Sequence, residues 1–242
     1  MFVEKDLSVT QTEHISKQFD ADLERLRASV MQMGGLVEQQ IEHALQALTT
    51  GDIKLADQVV DKDDHINALE IAIDEDCNSL IARRQPAAGD LRMVMTVVKI
   101  IRDLERIGDE AEKIARMAKM LHTSDRLYMP RLTDIKHVAE LALDMLRKAL
   151  DGFARLDTVT AVRLLRQDNQ VDDAYHAILR QLLTFMMEDP RTITASLEIL
   201  FIAKAIERIG DHSKNMAECI IYLVKGKDVR HVALEEVEKQ AL

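Results

Sequence analysis

Apolar residues recur every three or four positions over most of this chain, the period of an amphipathic α-helix. From Phe19 they fall at Leu23, Leu26, Val30, Met33, Val37, Ile41, Ala44 and Leu48, which predicts one long helix running across Gly34 and Gly35. Thr10 and Glu13 have the spacing of a capping box for its start, Gly51 marks its stop, and Asp52 stands where the next helix needs an N-cap. The second helix is expected over 53–84, with a seam of Ala56, Val59, Asp63, Ile66, Glu70, Ile73, Cys77 and Leu80, and Pro86 ends it. The third is expected over 91–121, with Val94, Val98, Ile101 and Ala115 facing inward, and a polar linker over 122–130. The pattern then restarts: helices are expected over 132–156, 158–187 and 191–224, with breaks at Leu156-Asp157 and at Pro190. The charged tail from Lys225 onward is expected to fray.

The restart is a duplication. Glu105-Arg106-Ile107-Gly108-Asp109 returns letter for letter as Glu207-Arg208-Ile209-Gly210-Asp211, 102 residues later. Upstream, Asp52, Ala56 and Asp63 match Asp157, Ala161 and Asp168 at an offset of 105, so the second copy has a shorter connection before its third helix. Each repeat is therefore a three-helix unit. The expected fold is all-α: two tandem three-helix bundles, divided as 1–124 and 125–242, packed as one elongated six-helix molecule. Helices of about 30 residues are about 45 Å long.

Composition narrows the function. Hydrophobic residues make up 47% and charged residues 31% of the 242, with only 8 Gly and 3 Pro, which suits a folded chain of long helices. The formal net charge of −10 argues against nucleic acid and anionic membrane as partners. No apolar run approaches the roughly 18–20 residues of a membrane span, and the charged start Met1-Phe2-Val3-Glu4-Lys5-Asp6 does not read as a signal peptide, so a cytoplasmic location is expected. The two cysteines, Cys77 and Cys219, fall at helix-interior positions and read as buried thiols.

The candidate chemistry is carboxylate. Glu105 with Asp109, and Glu207 with Asp211, each place like charges four apart on one helical face, with a helix-weakening glycine between them. Such an unfavourable cassette is not expected twice by chance. Folding the second and third helices back about Pro86 brings Asp109 level with about residue 64, near Asp63, Asp64 and Asn67. Folding the fifth and sixth about Pro190 brings Asp211 level with about residue 169, near Asp168, Asp172 and Asp173. Each repeat thus unites two oxygen-bearing pairs, and the candidate metal ligands are Glu105, Asp109, Asp63 and Asn67 in the first, and Glu207, Asp211, Asp168 and Asp172 in the second. An oxygen-rich set suits Mg2+, Mn2+ or iron, with zinc left open. The competing account is an ion-pair mesh with Arg102, Arg106 and Lys113, and with Arg208 and Lys214. The glycines have two accounts as well, close helix approach or an open surface.

Other signals are weaker. Of eight histidines only His65 and His212 lie near the acids, and His212, next to Asp211, points off the cassette face. The chain has no Glu-x-x-His, no His-Glu-x-x-His, no Cys-x-x-Cys and no Gly-rich phosphate loop, and it shows no convincing nucleophile–base pair. No catalytic residue is assigned. Arg83 and Arg84, with Arg92 beyond the turn, form a basic hairpin tip, either solvated surface or a docking point for an acidic partner.

The two cassettes, each an acidic residue, three further positions and Asp, carry a resemblance to the PhoU family. Arg84-Gln85-Pro86-x-x-x-Asp90-Leu91-Arg92 and Met31-Gln32-Met33-Gly34-Gly35 are also similar to that family, and the likeness covers residues 19–224. The second repeat departs from it in having Asp189-Pro190-Arg191 in place of the Gln-Pro turn. The resemblance implies a non-enzymatic regulator built of two three-helix bundles, often dimeric, cytoplasmic and peripheral to the membrane through its partners. It implies action with the ATPase subunit PstB of the phosphate ABC transporter and with the sensor kinase PhoR, repressing phosphate-starvation genes and restraining uptake when phosphate is plentiful. It further implies metal clusters in some members, at positions that here are Glu105, Asp109, Glu207 and Asp211. The rival expectations are a metal-dependent enzyme on a helical bundle and a metal-free helical scaffold.

Overall fold

The computed structural model describes residues 17–123 and 132–241, so the Thr10–Glu13 pair and most of the expected linker lie outside it. The described residues form α1 (Lys17–Thr50), α2 (Ile53–Arg84), α3 (Ala88–Thr123), α4 (Thr133–Arg155), α5 (Thr158–Glu188), a 3-10 turn (Pro190–Thr192), α6 (Ile193–Lys225) and α7 (Leu234–Ala241), with no strand among them.

The short connections obey local rules. α1 stops at Gly51, whose φ of +73° suits glycine, and Asp52 caps α2 by accepting from the Leu55 amide at 3.1 Å. The same device opens the second copy, where Asp157 accepts from Val159 and Thr160 amides at 2.9 and 3.3 Å. Three findings differ from the expectations. α3 begins at Ala88, before the apolar period starts at Leu91, because its first turn is solvent-facing and carries Asp90 at the positive end of the helix. α6 is preceded by a 3-10 turn that Asp189 caps through the Arg191 amide at 3.0 Å. The tail does not fray: it folds into α7, which packs on α5, buries Val229 and Val237, and pairs Glu238 with Arg166 at 2.5 Å.

α1 packs on α2 and α3, α4 packs on α5 and α6, and the most extensive interface joins α3 to α6. α3 and α6 are antiparallel. Arg208 reaches Glu110 at 2.9 Å, His212 reaches Asp103 at 2.9 Å, and Lys99 lies over the Tyr222 ring at 5.0 Å, so numbering rises along one helix as it falls along the other. α1 and α4 also meet, tied by Arg147 to Glu38 and Glu42 at 2.5 and 2.6 Å. One continuous cluster of buried apolar side chains runs through both repeats. Cys77 and Cys219 lie within it, and burial pushes both thiols up to about 12, leaving them protonated and inert. No helix among the described residues is long and apolar enough to cross a membrane.

Candidate functional site

The second cassette occupies the outer groove between α5 and α6. Asp172, Glu207 and Asp211 each present a carboxylate oxygen, and these oxygens lie within 4.8 Å of one another. Asp168 sits below them, only 3% exposed, and accepts from Lys214 Nζ at 2.5 Å. Lys204 donates to Glu207 Oε1 at 2.6 Å while lying over the Tyr175 ring, and Glu207 Oε2 is buried with no hydrogen-bond partner. Burial first, then the neighbouring carboxylates, raises the proton affinity of Asp172 and Asp211 above the ordinary aspartate range.

The first cassette lies between α2 and α3 on the same plan with different neighbours. Asp63 is 7% exposed, accepts from Asn67 Nδ2 at 3.1 Å through Oδ2, and leaves Oδ1 buried without a partner; Asn67 Oδ1 is orphaned too. Arg106 bridges the partly buried carboxylates of the cassette, 3.4 Å from Glu105 and 3.2 Å from Asp109. Burial raises the proton affinity of Asp63 against the opposing Asn67 hydrogen bond, with Glu112 and Asp109 adding to the rise. Glu105 is raised as well, by burial and then by Asp109. These acids raise one another's proton affinity, but among the described residues only the second cassette gathers three carboxylates closely enough to hold a cation together, and Glu112 is paired with Arg116 at 2.5 Å.

The duplication explains the contrast. Glu112 stands where the second repeat has Lys214, and Asn67 where it has Asp172. Arg208 is drawn off its own cassette by the buried Glu110 of α3. Arg106 has no such outlet, because His212 occupies the position matching Glu110, and so it folds back on Glu105 and Asp109.

Of the residues singled out from sequence, Asp172, Glu207 and Asp211 come together across α5 and α6, Asp63 pairs with Asn67 on its own helix, and Asp168 is held by Lys214. Asp64, Asp173 and His65 are exposed, and His212 binds Asp103 of α3 instead of the cassette. The glycines serve close approach: a β-carbon on Gly108 would stand 3.3 Å from Asp63 Oδ1, and one on Gly210 would stand 3.3 Å from Val171. The basic tip is divided. Arg84 reaches Asp22 of α1 at 3.5 Å and Arg83 donates to the Ser79 carbonyl at 3.2 Å, whereas Arg92 is half-buried with its guanidinium against Gly226, where α6 ends. Lys204, Glu110 and Glu112 were not singled out. The signal for Lys204 was its place three residues before Glu207, and for Glu112 its alignment with Lys214.

A PhoU domain family model matches residues 30–118 and again 135–220, one match in each half. The chain is 48% identical over 232 residues to the phosphate-specific transport system accessory protein PhoU of Escherichia coli K12, covering 96% of this chain and 95% of that protein. It is 47% identical over 232 residues to the PhoU homolog of Pseudomonas aeruginosa, covering 95% and 94%. The crystal structure of PhoU from Pseudomonas aeruginosa superposes with a TM-score of 0.83 at 46% identity, over 87% of this chain and 100% of that one. That of the phosphate transport system regulatory protein PhoU from Streptococcus pneumoniae gives 0.81 at 30%, over 88% and 99%. With the duplicated cassettes matched in both halves, this chain belongs to the PhoU family.

Proposed function

We propose that this chain is a non-enzymatic regulator of phosphate homeostasis. In this account it works in the cytoplasm, at the membrane only through its partners, and couples the ATPase subunit PstB of the phosphate ABC transporter to the sensor kinase PhoR. It represses phosphate-starvation genes and restrains uptake when phosphate is plentiful. The observation that carries the proposal is the near full-length identity to relatives named as accessory proteins of phosphate-specific transport. The geometry is in keeping with it. Two related outer grooves sit on one continuous core, and a rigid body with two similar but unequal faces suits a bridge between two partners. Homodimers are part of the same account.

The carboxylate groups serve in it as cation sites, holding Mg2+, Mn2+, iron or zinc. The donors are all oxygen, which favours the harder ions over zinc. The orphaned Asp63 Oδ1, Asn67 Oδ1 and Glu207 Oε2 supply the fit test, since each is a buried acceptor that a cation would satisfy. A bound cation would neutralise like charges within each groove and fix its shape for a partner.

The test is a strain carrying this chain as its only copy of the family. With phosphate plentiful, deletion is expected to switch on a phosphate-starvation reporter and raise phosphate uptake, and re-expression to reverse both. A silent reporter and unchanged uptake after deletion would overturn the proposal.

A further inference from the structure

The two grooves repeat one plan, but the positive charges set among their carboxylates differ. In the second groove Lys204 stands on the α6 wall, three residues before Glu207, and donates to Glu207 Oε1 at 2.6 Å. The same Nζ lies 5.3 Å from the centre of the Tyr175 ring on α5, and its charge acts on Asp211 as well. Lys214 holds Asp168 at 2.5 Å. The Lys204 side chain is 41% exposed and that of Glu207 only 12%, so the amine has room to swing aside while the carboxylate stays in the groove.

The duplication supplies an internal control. The first repeat has Arg102 where the second has Lys204, Glu70 where it has Tyr175, and Glu112 where it has Lys214. Arg102 is exposed, Glu105 is held by the neighbouring Arg106, and Glu70 adds negative charge where the second copy has a ring. The three-helix plan therefore does not require an ammonium inside the cassette. The second repeat has placed one there, together with an aromatic face to hold it.

Charge says what that ammonium does. Asp168, Asp172, Glu207 and Asp211 carry four negative charges, and Lys204 and Lys214 offset two, which leaves the charge of one divalent cation. Lys214 is committed to the buried Asp168, outside the three carboxylates whose oxygens lie within 4.8 Å of one another. Lys204 bears directly on that set, because Glu207 is one of the three. We infer that Lys204 governs how tightly the second groove holds a divalent cation, its ammonium competing with the ion for Glu207 and moving onto the Tyr175 face when the ion takes the carboxylate. An ammonium repels an ion that shares its carboxylate, and over a ring it keeps a favourable partner without covering the oxygens. Glu207 Oε2, buried without a hydrogen-bond partner, is the oxygen left for the ion's first contact. The groove is thus partly neutralised by its own lysine until the cation is abundant, a control that the first groove lacks.

The inference rests on the cation reading proposed above, and its test separates the two. Tb3+, an oxygen-seeking stand-in for the divalent ions, is titrated onto the full chain with excitation of tyrosine. Tyr175 stands beside the second groove, so sensitised emission reports that site, and Tyr175→Phe is expected to remove most of it. Lys204→Met is expected to tighten Tb3+ binding by about tenfold or more, Lys204→Arg, which keeps the charge, to stay within about threefold, and Arg102→Met, the matching change on the first repeat, to stay within about twofold. Lys204 and Arg102 are both open to solvent, and unchanged helical circular dichroism verifies the fold. Unchanged or weaker binding by Lys204→Met, or equal tightening by Arg102→Met, overturns the inference alone. A parent chain that gives no emission displaceable by Mn2+ overturns the cation reading of this groove and the inference together.

Discussion

Gly34 of α1 sits so close to Leu150 of α4 that a β-carbon on it would stand 2.4 Å from Leu150 Cδ2. The next residue, Gly35, has nothing within 4 Å of the same point. Two adjacent glycines in one helix thus have opposite roles. Gly34→Ala is expected to be destabilising by up to about 2 kcal/mol, since an overpacking cost of about 1–3 kcal/mol is set against roughly 1 kcal/mol gained in helix propensity. Gly35→Ala keeps only the gain and is expected to stabilise by up to about 1 kcal/mol. Thermal unfolding of the two variants reads this as melting temperatures moving in opposite directions.

Asp63 links the first cassette to pH. Burial is the main cause of its raised proton affinity, opposed by Asn67 and reinforced by Glu112 and Asp109. Between the ordinary aspartate range and the raised one, the folded chain holds more protons than the unfolded chain, so this group's contribution to stability falls as pH rises through that window. Its charge at neutral pH is therefore a burden. Asp63→Asn is expected to be more stable than the parent at about pH 7 in chelator, by about 1 kcal/mol for an unsatisfied buried group, with the gap closing toward about pH 4. Denaturant unfolding across pH checks the sign.

The cation account makes a separate demand. Metal analysis of protein purified without chelator is expected to find bound Mg2+, Mn2+, iron or zinc, and to find it much reduced after Glu105→Ala combined with Asp211→Ala. Added Mn2+ is expected to raise the melting temperature of the parent more than that of the double variant. No metal at any concentration tried, or equal loading of both proteins, would leave the carboxylates as an ion-pair mesh.

Arg106 and Arg208 are identical in the duplication and unequal in the fold. Arg208 spans from α6 to the buried Glu110 of α3, whereas Arg106, itself exposed, only bridges acids of its own helix. Arg208→Ala leaves Glu110 with Lys113, at 3.2 Å, as its cationic partner among the described residues and is expected to cost about 1–2 kcal/mol. Arg106→Ala is expected to stay within about 0.5 kcal/mol. A double-mutant cycle of Arg208 with Glu110 isolates the pair.

Much of this was legible in the sequence. Helical period, caps at Asp52 and Asp157, and the break at Pro190 each rest on a local rule, and the register about Pro86 and Pro190 placed Asp63 and Asp168 beneath the cassettes. What escaped rests on tertiary contact. α7 is too short and too charged to announce itself, and only the face of α5 beneath Val237 makes it a helix worth forming. The diversion of Arg208 to Glu110 needs the antiparallel pairing of α3 with α6, which no spacing within one repeat contains. Arg92 looked like part of a free basic tip because the end of α6 lies more than a hundred residues away in sequence and next to it in space.

The central claim is that the chain acts by contact with a transporter subunit and a sensor kinase. The most direct measurement is crosslinking in phosphate-replete cells, followed by mass spectrometry of what the tagged chain holds. The account predicts crosslinks from this chain to both the transporter's ATPase subunit and the kinase. Recovery of the chain with neither protein, under conditions where both are expressed, would contradict it.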